Sequence, residues 1–159
     1  MKTLIVYATK YGCTEKCVKI LSEKINGKVD LYDLKGKSEL NITQYERIII
    51  GGSIYIGKIR KEVSEFCLEN LNVLKDKKVG LFICCMGEGD AVEKQLKESF
   101  PQDLIENTVV IESFGGEFIF KKMNFLERLI VKKVSKIDKD VSNILEERID
   151  NFAQLINRA

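Results

Sequence analysis

Leu4-Ile5-Val6-Tyr7-Ala8-Thr9-Lys10-Tyr11-Gly12-Cys13-Thr14 is the stretch that decides the fold. The apolar run from Leu4 to Ala8 suits a buried strand and is far too short for a membrane span. Hydroxyls and a glycine follow at once, in the pattern T-x-x-G-x-T. After them Cys17, Ile20, Leu21 and Ile25 recur with helical spacing. A strand, a tight polar loop and a helix place backbone N–H groups and the Thr9 and Thr14 hydroxyls at a helix N-terminus. Such a place favours an anion, above all a phosphate, whose three acceptor oxygens need several donors at once. Residues 10 to 14 supply the N–H groups, and Gly12 lets the backbone come close. Each charge-assisted hydrogen bond is worth roughly 1.5–3 kcal/mol. The plainer alternative is an ordinary strand–helix loop with a capping threonine. The loop lacks G-x-G-x-x-G, so it is not the dinucleotide fingerprint.

Working outward, four more apolar runs read as strands: Val29 to Leu34, Arg47 to Ile50 ending in Gly51-Gly52, Lys78 to Cys85, and Thr108 to Ile111 leading into Phe114-Gly115-Gly116. Their runs are mostly continuous rather than alternating, which marks strands covered on both faces. Helical segments lie between them. Cys13 to Ile25 ends at Asn26-Gly27. Val63, Phe66, Cys67 and Leu71 mark another, and Ala91 to Phe100 a third, capped by Asp90 and stopped near Pro101. Val141, Ile144, Leu145, Ile149, Phe152, Leu155 and Ile156 predict a long C-terminal helix. The alternation predicts an α/β fold, a doubly wound five-stranded parallel sheet, as one domain over residues 1–159, and 2-1-3-4-5 is taken as its strand order. In such sheets a ligand lies beyond the carboxyl ends of the strands, at the switch point between strands one and three.

Two more strand-end segments carry glycines. Gly52-Ser53-Ile54-Tyr55-Ile56-Gly57-Lys58 satisfies G-x-x-x-x-G-K, but Ile59 stands where a P-loop needs Ser or Thr for Mg²⁺. Its apolar interior suits a flat hydrophobic ring better than a nucleoside triphosphate. Cys84-Cys85-Met86-Gly87-Glu88-Gly89-Asp90 follows the fourth strand; Glu88 and Asp90 read as acid–base groups or as loop solvation and a helix cap.

Composition removes other chemistries. The chain of 159 residues contains no histidine, so imidazole-based triads and histidine metal ligands are out. A net charge of +2 does not argue for nucleic acid. The five cysteines, Cys13, Cys17, Cys67, Cys84 and Cys85, show no disulfide framework, which fits a reducing, cytoplasmic compartment. Cys13 and Cys17 are four residues apart on the first helix, too few ligands for zinc, and no metal site is expected. Cys13 at a helix N-terminus reads as a redox thiol or, more simply, as a small loop residue, since no resolving cysteine is evident beside it. The remaining cysteines read as core packing.

With Thr9–Thr14 after the first strand and Gly51-Gly52-Ser53 after the third, nearly the whole chain resembles the flavodoxin family. Within it, Gly52-Ser53-Ile54, Tyr55, Gly57 and the long basic, apolar stretch after Gly116 are similar to the flavodoxin-type menaquinone-dependent protoporphyrinogen IX oxidases. The resemblance implies FMN as cofactor, its phosphate on Thr9, Lys10, Tyr11, Gly12, Cys13 and Thr14. The flavin ring would then pack between Gly52, Ser53, Ile54, Tyr55, Ile56 and Gly57 on one side and Cys85, Met86 and Gly87 on the other. It implies an FMN-dependent oxidoreductase passing electrons to a quinone, with no side-chain nucleophile. The alternative is a flavodoxin-type electron carrier that docks on a redox protein partner.

Glu117 to Ile137 breaks the alternation. Met123, Leu126, Ile130, Val134 and Ile137 follow helical spacing, and Phe118, Phe120, Phe125, Leu129 and Val131 widen the apolar side. Between Phe118 and Ile137, Lys121, Lys122, Arg128, Lys132, Lys133 and Lys136 stand against Glu127 alone. The segment, bounded at 117–138, reads as an inserted basic amphipathic piece between the fifth strand and the last helix. Three roles suit it: peripheral contact with the inner face of a membrane, a lid over an apolar substrate, or packing on the sheet or a partner.

Overall fold

The computed structural model describes residues 1–36, 38–135 and 139–159. The end of the expected insertion, Lys136, Ile137 and Asp138, lies outside the described residues. In chain order the elements are β1 (Lys2–Ala8), α1 (Cys13–Lys24), β2 (Lys28–Asp33), β3 (Arg47–Tyr55), β4 (Lys58–Ile59), α2 (Lys61–Glu69), α3 (Leu71–Leu74), β5 (Lys78–Cys84), α4 (Asp90–Ser99), α5 (Gln102–Glu106), β6 (Val110–Ser113), β7 (Gly115–Phe118), α6 (Phe125–Ser135), β8 (Val141–Ile144) and α7 (Glu146–Arg158).

Five strands pair in parallel in the order β2-β1-β3-β5-β6, which is the expected 2-1-3-4-5 topology. Alternate residues of the central strands serve opposite faces. Leu4, Val6, Ile48, Ile50, Leu81 and Ile83 enter one core, with Val63, Phe66 and Val92 from α2 and α4. Ile5, Tyr7, Ile49 and Phe82 enter the other, with Val18 and Leu21 of α1 and Ile149, Phe152 and Ile156 of α7. Phe82 stacks on Phe114 at 4.6 Å between ring centres, and Phe152 meets both rings edge-on. Burial on both faces is why these strands read as unbroken apolar runs.

The register decides where a site can form. Ala8 pairs with Gly52 and Ser53 with Cys84, so β1, β3 and β5 end side by side. The loops that follow them therefore meet at the switch point.

Four expectations are corrected. β3 does not stop at Gly51-Gly52 but runs on to Tyr55. These glycines sit inside the strand because a Cβ on Gly51 would lie 2.3 Å from the Phe82 ring and one on Gly52 2.8 Å from Val63. Asp90 is not the cap of the third helix; it is the first residue of α4, and Gly89 is the cap. The last helix starts at Glu146, because Val141–Ile144 pairs antiparallel with Gly115–Phe118. The inserted segment is thus not one helix. It has a two-stranded stem, β7 with β8, a 3-10 turn at Phe120–Lys122, and α6.

Candidate functional site

The loop after β1 is shaped by Gly12, which caps α1 with φ +93°, a left-handed conformation that glycine adopts without strain. Thr9 Oγ1 accepts a hydrogen bond from the Gly12 N–H at 2.9 Å, closing the loop on itself. Lys16 N–H donates to the Gly12 carbonyl at 3.1 Å and starts the helix. Thr14 is fully buried, and its hydroxyl has no hydrogen-bond partner among the described residues. An orphaned buried hydroxyl costs roughly 1–3 kcal/mol, so one at a helix N-terminus asks for a ligand.

The segment after β3 is a tight hairpin and not a P-loop. Ile54 pairs with Ile59 and Tyr55 with Lys58 across a two-residue turn, Ile56-Gly57. Both turn residues have positive φ, +48° and +72°. Ser53 carries a second buried hydroxyl without a partner among the described residues.

A cavity of about 100 Å³ lies where these segments converge. Its wall contains Thr9, Lys10, Tyr11 and Cys13 from the first loop, Ser53, Ile54 and Tyr55 from the second, and Cys84, Cys85 and Met86 from the third. Most of the expected ring-contacting and phosphate-loop residues thus share one space. Others do not line it. Gly52 is inside the sheet, Ile56 and Gly57 form the exposed turn beside it, and Gly87 lines a separate cleft against α4. Gly12 and Thr14 shape the loop beneath it.

Cys84 and the remaining wall were not assigned by sequence: Gly116, and from the insertion Glu117, Phe118, Met123 and Val131. Two adjacent glycines at the start of β7 fix where the stem lies. A Cβ on Gly115 would lie 1.9 Å from the Asn143 carbonyl oxygen, and one on Gly116 2.8 Å from the Cys85 carbonyl carbon. The stem therefore lies directly on the loop after β5. Lys16 holds Glu117 at 3.0 Å, and this bond raises the Lys16 pKa.

Further along, the insertion reaches the first loop. Lys122 Nζ donates to the Tyr11 carbonyl at 2.8 Å. Asn124 and Glu127 form a reciprocal cap at the start of α6: Glu127 N–H donates to Asn124 Oδ1 at 2.8 Å, and Asn124 N–H to Glu127 Oε1 at 3.2 Å. The other Glu127 oxygen accepts from the Tyr11 hydroxyl and pairs with Lys10 at 3.3 Å. Lys10 Nζ also sits 3.6 Å from the centre of the Tyr55 ring. One carboxylate thus ties the cover to two residues of the β1 loop, and Lys10 lies across the aromatic face.

The fold also changes the reading of Cys13. The sequence shows no thiol placed to meet it, yet Cys17 and Cys84 are both there: the three sulfurs lie within 4.8 Å of one another, all buried. Hydrogen bonds from the Cys17 and Cys84 thiols hold the Cys13 thiol well below its usual pKa, while Cys17 and Cys84 are shifted upward. Cys67, in the opposite core, is pushed up to about 12 by burial alone.

Residues 4–144 match the profile of a flavodoxin domain. The chain belongs to the flavodoxin domain family. No curated protein matches it significantly. Among solved structures it is similar to the two-electron reduced flavodoxin of Megasphaera elsdenii, with TM-score 0.62, 15% identity, and 99% of each chain covered. It is similar to Fusobacterium nucleatum flavodoxin bound to flavin mononucleotide, with TM-score 0.54, 14% identity, and 99% of this chain and 97% of that one covered. It also matches the rubredoxin oxygen:oxidoreductase of Desulfovibrio gigas at TM-score 0.52 and 16% identity, where 99% of this flavodoxin-domain chain spans only 35% of the other. Among the described residues no helix is long and apolar enough to cross a membrane.

Proposed function

We propose that this flavodoxin-domain protein binds FMN at the ends of β1, β3 and β5 and acts as an oxidoreductase on an apolar substrate. The observation that carries the reading is the pair of buried, unpartnered hydroxyls, Thr14 Oγ1 and Ser53 Oγ, beside an apolar cavity at the switch point. The residues fit a phosphorylated flavin. Thr9, Thr14 and the N–H groups of residues 10 to 14 suit the phosphate, and Ile54, Tyr55 and Met86 suit the ring. Bound there, the isoalloxazine supplies the capacity to take up one or two electrons. The protein supplies position, an apolar wall and charge balance, with Lys10 and Lys122 the cations at the first loop.

Ligand pockets commonly measure about 300–1,000 Å³. The cavity here is about 100 Å³. Entry of a three-ring ligand therefore requires the cover to swing outward and Lys10 to leave the Tyr55 face. The same cover favours a substrate-using enzyme over a plain carrier, because Phe118, Met123 and Val131 add an apolar wall above the ring position. Such a wall suits a planar hydrophobic donor such as a protoporphyrinogen, with a quinone as acceptor. The exposed side of α6 suits peripheral docking on an anionic membrane.

The first test is titration of the purified chain with FMN, followed by flavin fluorescence. Wild type should bind stoichiometrically, and Thr14→Glu, which puts a carboxylate where the phosphate belongs, should not. Equal uptake by both refutes the site. The enzymatic reading is tested with protoporphyrinogen IX and menadione. Oxidation that requires FMN and is accelerated by the quinone supports it; a loaded protein that oxidises nothing leaves the carrier as the better reading.

A further inference from the structure

We infer that Cys13, Cys17 and Cys84 form a trigonal binding site for a soft monovalent cation, Cu(I). The inference does not rest on the flavin reading, because it needs no cofactor, although Cys13 and Cys84 also line the cavity.

Three observations carry it. The first is convergence. Cys13 opens α1, Cys17 lies one turn later on the same face, and Cys84 ends β5, so two elements distant in sequence deliver three sulfurs to one point. All three Sγ atoms lie within 4.8 Å of one another. With metal–sulfur bonds of about 2.3 Å, three sulfurs around a planar centre stand about 4 Å apart, so the thiols need to close by less than about 1 Å. A pair of thiols would suffice for a disulfide; the third is what a metal uses.

The second observation is the nature of the donors. The protein has no histidine. Among the described residues no fourth Cys, Asp or Glu joins the group. Zn²⁺ in a structural site takes four ligands, whereas soft thiolates in low number select Cu(I). Cys17 is fully buried and Cys84 nearly so, with Ile5, Tyr7 and Phe114 in the surrounding core, which leaves little room for a water as fourth ligand.

The third is charge and access. Thiolates must be formed on binding, and their protons leave to solvent. The N-terminus of the twelve-residue α1 provides positive field beside Cys13, while Lys16 and Glu117, paired at 3.0 Å, offset one another. Cys13 also forms part of the cavity wall, so a small ion has a route in.

The test uses the full chain without flavin, reduced and kept free of oxygen. Cu(I) is supplied against bicinchoninate as competitor, and Zn(II) is titrated in parallel. The expected result is one Cu(I) per chain, a thiolate-to-metal charge-transfer band in the ultraviolet, and, in peptide mapping after long incubation, slower alkylation of Cys13, Cys17 and Cys84 than in the metal-free chain, with the rate at Cys67, buried in the opposite core, unchanged. Cys84→Ala should lower Cu(I) affinity by about 100-fold or more, and Cys67→Ala should leave it within about twofold, since losing a ligand costs at least as much as losing its supporting shell. Peptide mapping on the wild-type chain decides the matter even if a cysteine variant fails to fold. No stoichiometric uptake, uptake without protection of these three thiols, or tighter binding of Zn(II) at the same sulfurs overturns the assignment.

Discussion

Thr14 and Ile56 are single residues that act against the stability of the free chain, each in a way that points to a ligand. The Thr14 hydroxyl is buried without a partner among the described residues, so Thr14→Val removes a cost while keeping shape. The free protein should unfold at equal or slightly higher urea, by up to about 1 kcal/mol. FMN affinity should move the other way, down by roughly tenfold or more, the equivalent of one charge-assisted hydrogen bond. A variant that loses stability and keeps FMN affinity would mean that the hydroxyl serves the fold alone. Ile56 sits at φ +48° with 68% of its surface exposed. A two-residue hairpin turn with positive φ at both positions, as here, suits Asn-Gly and strains a β-branched residue. Left-handed backbone costs an L-residue about 1–2 kcal/mol. Ile56→Gly should therefore stabilise the free chain by about 1 kcal/mol, or roughly 2–4 °C in Tm. A lower midpoint in thermal unfolding would show that the isoleucine side chain repays its strain through packing.

Among the elements, β1, α1, β5 and the first half of β3 were legible in the sequence because their pattern is local. An unbroken apolar run followed by hydroxyls and glycine states both the strand and its loop. The hairpin stem was not legible. Val141, Ile144 and Leu145 continue the helical spacing of Ile149 and Phe152, and nothing nearby shows that Val141 to Ile144 pairs with Gly115 to Phe118. A ladder between distant short strands is a property of the fold, and so is the meeting of Cys13 with Cys84. Helical periodicity did locate α6, but it could not say which side would be covered. In the structure Glu127 and Val131 face inward, while Phe125 and Val134 are more than three-quarters exposed, at 76% and 78%. Glu127 is the latch of this element. Glu127→Gln keeps the capping geometry at Asn124 and removes the charge that holds Lys10. The cover should then open more readily and Lys10 should be released to an incoming phosphate, so FMN should bind about tenfold more tightly and associate faster. Stopped-flow fluorescence separates the two rates. Weaker binding in Glu127→Gln would show instead that the carboxylate belongs to the bound state.

At the scale of the whole molecule, charge and apolar surface are unevenly placed. The net charge is only +2, yet α6 presents Lys132 and Lys133 among the exposed Phe125, Leu126, Leu129, Ile130 and Val134. Neighbouring exposed apolar residues on one helix mark an interaction surface. Packing against the sheet is not its role, because these side chains point to solvent. An apolar strip interleaved with lysines suits the boundary layer of an anionic bilayer, where rings and aliphatic chains enter the acyl region and ammonium groups stay with the headgroups. Each lysine near such a surface contributes about 1 kcal/mol, and the attraction fades beyond a Debye length of about 10 Å at 0.1 M salt. The protein should sediment with vesicles containing phosphatidylserine and not with neutral ones. Replacing Lys132 and Lys133 together by Gln should lower the partition coefficient roughly 30-fold, about 2 kcal/mol, at low salt and much less at high salt. Phe125→Ser with Val134→Ser should lower it at both, because apolar burial is not screened. Identical sedimentation of all forms, or equal binding to neutral vesicles, would remove the membrane from this account and leave α6 for a protein partner.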